Sequence, residues 1–98
     1  MSAAESQLRI PDSAVDDPKA FEVARVWVAH GAEHVTLRFD AWKNPAAWGI
    51  VLADLMRHLV NAYEQDMGLD RSATFRQIRA EFEAEIDSPT DKPTGSVV

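Results

Sequence analysis

Asp54 and His58 stand four residues apart in "GIVLADLMRHLVNAY", a run with helical apolar spacing. On a helix that separation puts the carboxylate one turn before the imidazole, where it can orient the ring or raise its proton affinity. A catalytic device would also need a nucleophile or a substrate-polarising group nearby, and the sequence names none. The plainer reading is a histidine at the border of an apolar face. "HGAEH", residues 30 to 34, also holds two histidines four apart, which would suit a metal on a helix. Across a tight turn, however, His30 falls on the face of Val28 and His34 on that of Trp27. They point apart, and no metal site is expected. There is no cysteine, which excludes disulfides, thiolate ligands and thiol nucleophiles. The four glycines build no phosphate-cradling loop, and no serine sits in a nucleophile elbow. No cofactor is expected.

The remaining chemistry lies in a pair of arginines. Arg25 and Arg38 fall opposite one another if "AFEVARVWVAHGAEHVTLRFDAW" folds as a hairpin. Two guanidiniums over one ribbon face, with Trp27 and Thr36 beside them, could hold a carboxylate or phosphate. The alternatives are an acid from a second subunit, or Asp40, Glu22 and solvent.

The hairpin that would position this pair is read from its pattern. In the second arm Val35, Leu37 and Phe39 alternate with Thr36, Arg38 and Asp40, whereas the first arm is apolar on both faces. Placing Gly31 and Ala32 in a type II′ turn pairs His30 with Glu33. Val28 then faces Val35, Val26 faces Leu37 and Ala24 faces Phe39. The opposite face carries Phe21, Val23, Arg25 and Trp27 against Thr36, Arg38, Asp40 and Trp42. A lone hairpin with two apolar faces needs cover.

Two helices follow. Asn44 is a good N-cap, Pro45 fits the first helical position, and Gly68 is a natural stop. Between them Trp48, Val51, Leu52, Leu55, Leu59, Ala62 and Tyr63 share one face, widened by Met56 and Val60. Trp48 is therefore most simply the first anchor of a buried stripe. The last helix starts at Asp70 or Ser72 and ends near Asp87, with Phe75, Ile78, Phe82 and Ile86 as a narrow stripe. Its arginines come early and Glu81, Glu83 and Glu85 late, against the helix dipole. This run is a solvated acidic face or a docking edge for a basic partner.

Residues 1–18 read as a flexible segment with a possible short edge strand at 7–11, residues 19–87 as a single α+β domain, and residues 88–98 as a disordered tail. The chain has 98 residues, 46% hydrophobic and 27% charged, with a net charge of −6. It is globular, and its acidity argues against nucleic acid and anionic membranes as partners. No basic leader with an apolar run opens it, and no apolar run approaches a membrane span, so a cytoplasmic location is expected.

"VTLR", "PAAWGIVLAD" and "RHLVNAY", within residues 34–63, resemble a small family of short alphaproteobacterial proteins known only as a domain of unknown function. The resemblance implies a bacterial setting and assigns no activity, cofactor or site residue.

The expected architecture is a β-hairpin, with or without a third N-terminal strand, packed on two helices in the order ββαα. So small a domain has a thin core, and a second copy is a natural way to thicken it. The leading functional expectation is a non-enzymatic interaction or regulatory module acting as a homodimer, joined through the hairpin by Phe21, Val23, Trp27 and Trp42. A binder of a small anion through Arg25 and Arg38, with Trp27 and Thr36, is the alternative. An enzyme using His58 and Asp54 is the weakest-supported one.

Overall fold

The turn of the hairpin sets the register of everything around it. In the computed structural model, which describes residues 3–90 and 95–97, His30 (φ 53°) and Gly31 (φ 73°) both adopt left-handed backbone. Positive φ at both central positions defines a type I′ turn, whose twist matches that of the strands it joins. The turn is therefore His30–Gly31, not Gly31–Ala32 of a type II′ turn. Strand β1 (Ala24–Ala29) pairs antiparallel with β2 (Ala32–Leu37), with Val26 opposite Val35, Ala24 opposite Leu37 and Val28 opposite Glu33. This is a two-residue shift from the expected register. Because side chains alternate with period two, an even shift leaves every residue on its expected face and changes only its cross-strand partner.

The strands are also shorter than the alternation suggested. After Leu37 the chain turns into a 3-10 segment over Phe39–Ala41, so Phe39, Asp40 and Trp42 lie outside the sheet. A third strand does exist, but it does not come from residues 7–11. Residues 7–10 have no regular structure and are flanked by short helices α1 (Ala3–Ser6) and α2 (Asp12–Asp16). Strand β3 (Gly95–Val97) lies parallel to β2, which puts β2 in the middle of the sheet and β1 at its edge. Within the 88–98 segment expected to be disordered, these three residues thus take up sheet structure, while residues 91–94 and 98 lie outside those described.

Helix α3 (Ala47–Met67) is prepared by Asn44, whose Oδ1 accepts the Ala46 N–H at 3.0 Å. One tight turn, with Ala47 N–H donating to the Asn44 carbonyl, precedes the α-helical pattern, so the regular helix begins two residues beyond Pro45. It stops at Gly68 in left-handed conformation (φ 67°), whose N–H donates to the Glu64 carbonyl while that of Leu69 reaches Tyr63. Helix α4 (Arg71–Asp87) follows after a short reversal, with the Asp70 carboxylate accepting the Ala73 N–H at 2.9 Å as its N-cap. The molecule is thus α+β in the order ββαα.

Helices α3 and α4 pack against each other, as do the strands of the sheet. Among the described residues Val26 and Val28 on the sheet and Leu52, Leu55 and Leu59 on α3 stay exposed, so those two faces do not bury one another. Among the described residues only Val60 and Thr74 are buried, both at the α3–α4 contact. The radius of gyration is 15.5 Å, where a compact chain of this length has about 13 Å.

Candidate interaction surface

The register shift takes Arg38 out of line with Arg25. Arg25 stands opposite Thr36, and the Arg38 N–H donates to the Val23 carbonyl just beyond the paired strand. Both guanidiniums turn instead to Glu22. Arg25 Nη2 lies 3.0 Å from Glu22 Oε2, and Arg38 Nε donates to the Glu22 backbone carbonyl at 3.2 Å. Arg38 also stacks over the Phe21 ring at 5.7 Å. The Glu22 carboxylate thus engages Arg25 and its backbone carbonyl engages Arg38, and the two arginines do not stand directly opposite one another.

Trp27 and Thr36 are half-buried on the Arg25 face, with His34 opposite Trp27. The His34 Nε2 lies 3.1 Å from the Ala29 carbonyl. A carbonyl only accepts, so that nitrogen carries the proton and is not available as a metal ligand in this arrangement. No group of three potential metal-binding side chains occurs among the described residues. Asp54 approaches Arg57, three residues on, at 3.5 Å. In the acidic run, Glu83 accepts from Arg79 at 3.0 Å and Glu85 from the Thr90 N–H and hydroxyl.

The four expected hairpin anchors separate. Val23 and Trp27 are half-buried, and Phe21 is exposed beneath Arg38. Trp42 does not reach Phe21. It meets Trp48 edge-on, centroids 5.4 Å apart at 76°. Trp48 in turn donates its indole N–H to the Phe39 carbonyl at 3.3 Å. The two tryptophans thus form a clasp that holds the connecting segment to the first turn of α3.

The apolar faces are bare. In α3, Leu52, Leu55 and Leu59 keep 50%, 54% and 49% of their surface accessible. Helix α4 packs on the flank marked by Val60, and its Arg71 Nη1 donates to Asn61 Oδ1 and Glu64 Oε1 at 2.8 and 3.1 Å. The stripe centred on the leucines is left uncovered. On the sheet, the face of Val26 and Val28 is the open one, with Val26 at 60% and Val28 at 76%. The stripe was visible in the sequence; its exposure was not, because periodicity reports an apolar face and not what covers it. Sequence reasoning also missed a cavity of about 590 Å³ along the β1 edge, walled by Leu8, Ile10, Phe21 and Trp27 and holding Arg9 and Arg25.

Fold and surfaces together define a small α+β domain of ββαα order. The chain belongs to the family described as a domain of unknown function, DUF5076, whose model matches residues 7–90. It is also similar to a solved structure from the photosynthetic bacterium Rhodopseudomonas palustrus CGA009, provisionally described as a pyruvate dehydrogenase, with 30% identity, a TM-score of 0.71 and 90% of each chain covered. No curated protein matches it. Among the described residues no helix is long and apolar enough to cross a membrane.

Proposed function

We propose that this protein is a non-enzymatic interaction module of the bacterial cytoplasm that works as a homodimer. One observation carries the reading. The chain has 8492 Å² of accessible surface for a mass of 10.9 kDa, where a folded monomer of that mass exposes about 5,600 Å². The excess of roughly 2,900 Å² far exceeds the ~800 Å² per partner of a standard interface. Exposed apolar residues occur in the N-terminal segment (Leu8 and Ile10), on the hairpin (Val26 and Val28) and on α3 (Leu52, Leu55 and Leu59). Within that exposed surface Val26, Val28, Leu52, Leu55 and Leu59 are each about half exposed or more, and contiguous apolar patches of this kind mark interaction surfaces. Light scattering or sedimentation at micromolar concentration should give twice the chain mass. A strict monomer at high micromolar concentration removes the proposal.

The β1-edge cavity favours a second reading, a site for a small carboxylate. Arg9 and Arg25 supply charge, a ligand carboxylate having to compete with that of Glu22 for Arg25, and Phe21 and Trp27 supply apolar walls; Arg38 does not line the cavity and is not required. Because the neighbour is described as acting on pyruvate, pyruvate belongs in the panel of carboxylates tested by NMR titration. Saturable shifts at Trp27 that Arg25→Ala abolishes support this reading, and an unresponsive spectrum ends it.

A further inference from the structure

Two bare faces of one chain are complementary, and they do not meet within that chain. The first is the sheet face on which Ala24, Val26 and Val28 are exposed and Val35 and Leu37 half-buried, its one charged member being Glu33. The second is the α3 stripe of Leu52, Leu55, Leu59 and Tyr63. A sheet face and a helix stripe are the two surfaces that normally bury each other to make an α+β core. Here they are held apart. Trp48 is bonded to the Phe39 carbonyl and packed on Trp42, and Asn44 ties down Ala46, so the connection from Leu37 to Ala47 is pinned to the first turn of α3.

We propose that a second copy of this chain supplies the missing contact, with the hairpin of each protomer lying on α3 of its partner. This rests on the homodimer reading and specifies its surfaces and geometry.

Three observations select this occupant. The lengths match: a six-residue strand spans about 17 Å between its end Cα atoms, and the stripe from Leu52 to Tyr63 also spans about 17 Å. The charges permit it. Although the chain carries a net charge of −6, the charged residues of α3 apart from Asp66 at its end, namely Asp54, Arg57 and Glu64, lie off the stripe. The close approach of two acidic molecules here therefore opposes no run of like charges. The area requires it: pairing stripe with stripe would leave Val26 and Val28 in water, whereas reciprocal docking covers both faces twice around one twofold axis. Exchange of an identical element between protomers is the expected result when a short, constrained connection prevents closure within one chain.

The absence of cysteine makes the test direct. Val28→Cys and Leu55→Cys are prepared separately and together, at positions exposed enough to leave the fold intact, which circular dichroism verifies. Val26→Cys with Leu59→Cys is the replacement pair if either variant misfolds. The two single variants are co-refolded, treated with a short bismaleimide, and resolved on a denaturing gel beside light scattering of the unmodified protein. The expected result is a dimer in solution and a covalent heterodimer in the mixture, at several times the yield from either variant alone. An intrachain link in the double variant overturns the inference in favour of closure within one chain. Strong linking of Leu55→Cys to itself overturns it in favour of stripe-on-stripe pairing. A dimer that gives no Val28–Leu55 link also overturns it, while leaving the homodimer reading intact. A monomer by light scattering removes both.

Discussion

Gly68 is where a single atom changes the stability of the fold. Its φ of 67° lets the chain leave α3 while its N–H still reaches the Glu64 carbonyl. A Cβ there would meet no neighbouring atom, so the whole cost of Gly68→Ala lies in the backbone. Urea unfolding should show a loss of about 1 kcal/mol or more. Asp70→Ala, which removes the acceptor for the Ala73 N–H, should cost about 1 kcal/mol as well. Arg25→Ala should behave differently. Its pairing with Glu22 is partly exposed, and such pairs contribute about 0–1 kcal/mol. An unchanged unfolding midpoint would therefore leave Arg25 free to be assayed for ligand binding alone.

At the scale of the element, the end of α3 and the start of α4 were legible in the sequence and strand partners were not. Gly68 and Asp70 act through backbone or a short side chain within a turn, so their roles follow from local chemistry. The start of α3 was misplaced, because Asn44 folds a local turn onto the Ala46 N–H and Ala46, without a side-chain cap, is the N-cap. The hairpin depends on which residues take positive φ. A glycine serves as the first position of a type II′ turn or the second of a type I′ turn, and only His30 in left-handed conformation decides between them. The Arg25–Arg38 juxtaposition depended on that choice and was lost with it. Asp54 lies beside Arg57, three residues on, a neighbour that the spacing of four to His58 did not suggest. Replacing His30 by Asn, which favours this backbone more, should leave the register unchanged. Cross-strand NOEs between Val26 and Val35 should persist, and hairpin amides should exchange no faster. NOEs from Val26 to Leu37 as directly opposed residues would show the other turn.

At the scale of the whole molecule, the stripe on α3 predicted burial without saying which chain provides it. A subunit whose core is completed by its twin melts at a temperature that rises with concentration. A tenfold dilution should therefore lower the midpoint in calorimetry, and Leu55→Lys should abolish that dependence by favouring separated chains. Because the facing surfaces are apolar, raising the salt from low to physiological should change association little; a steep loss would point to charged contacts instead.

The clasp of Trp42 on Trp48 has a consequence for how such a protein could change. If this short joint is what denies the hairpin its own helix, inserting a few glycines between Leu37 and Asn44 would turn an interdependent pair into self-sufficient units. No residue on either meeting face would need to alter. Partnership would then be written in the stiffness of a hinge, open to gain or loss in a single evolutionary step.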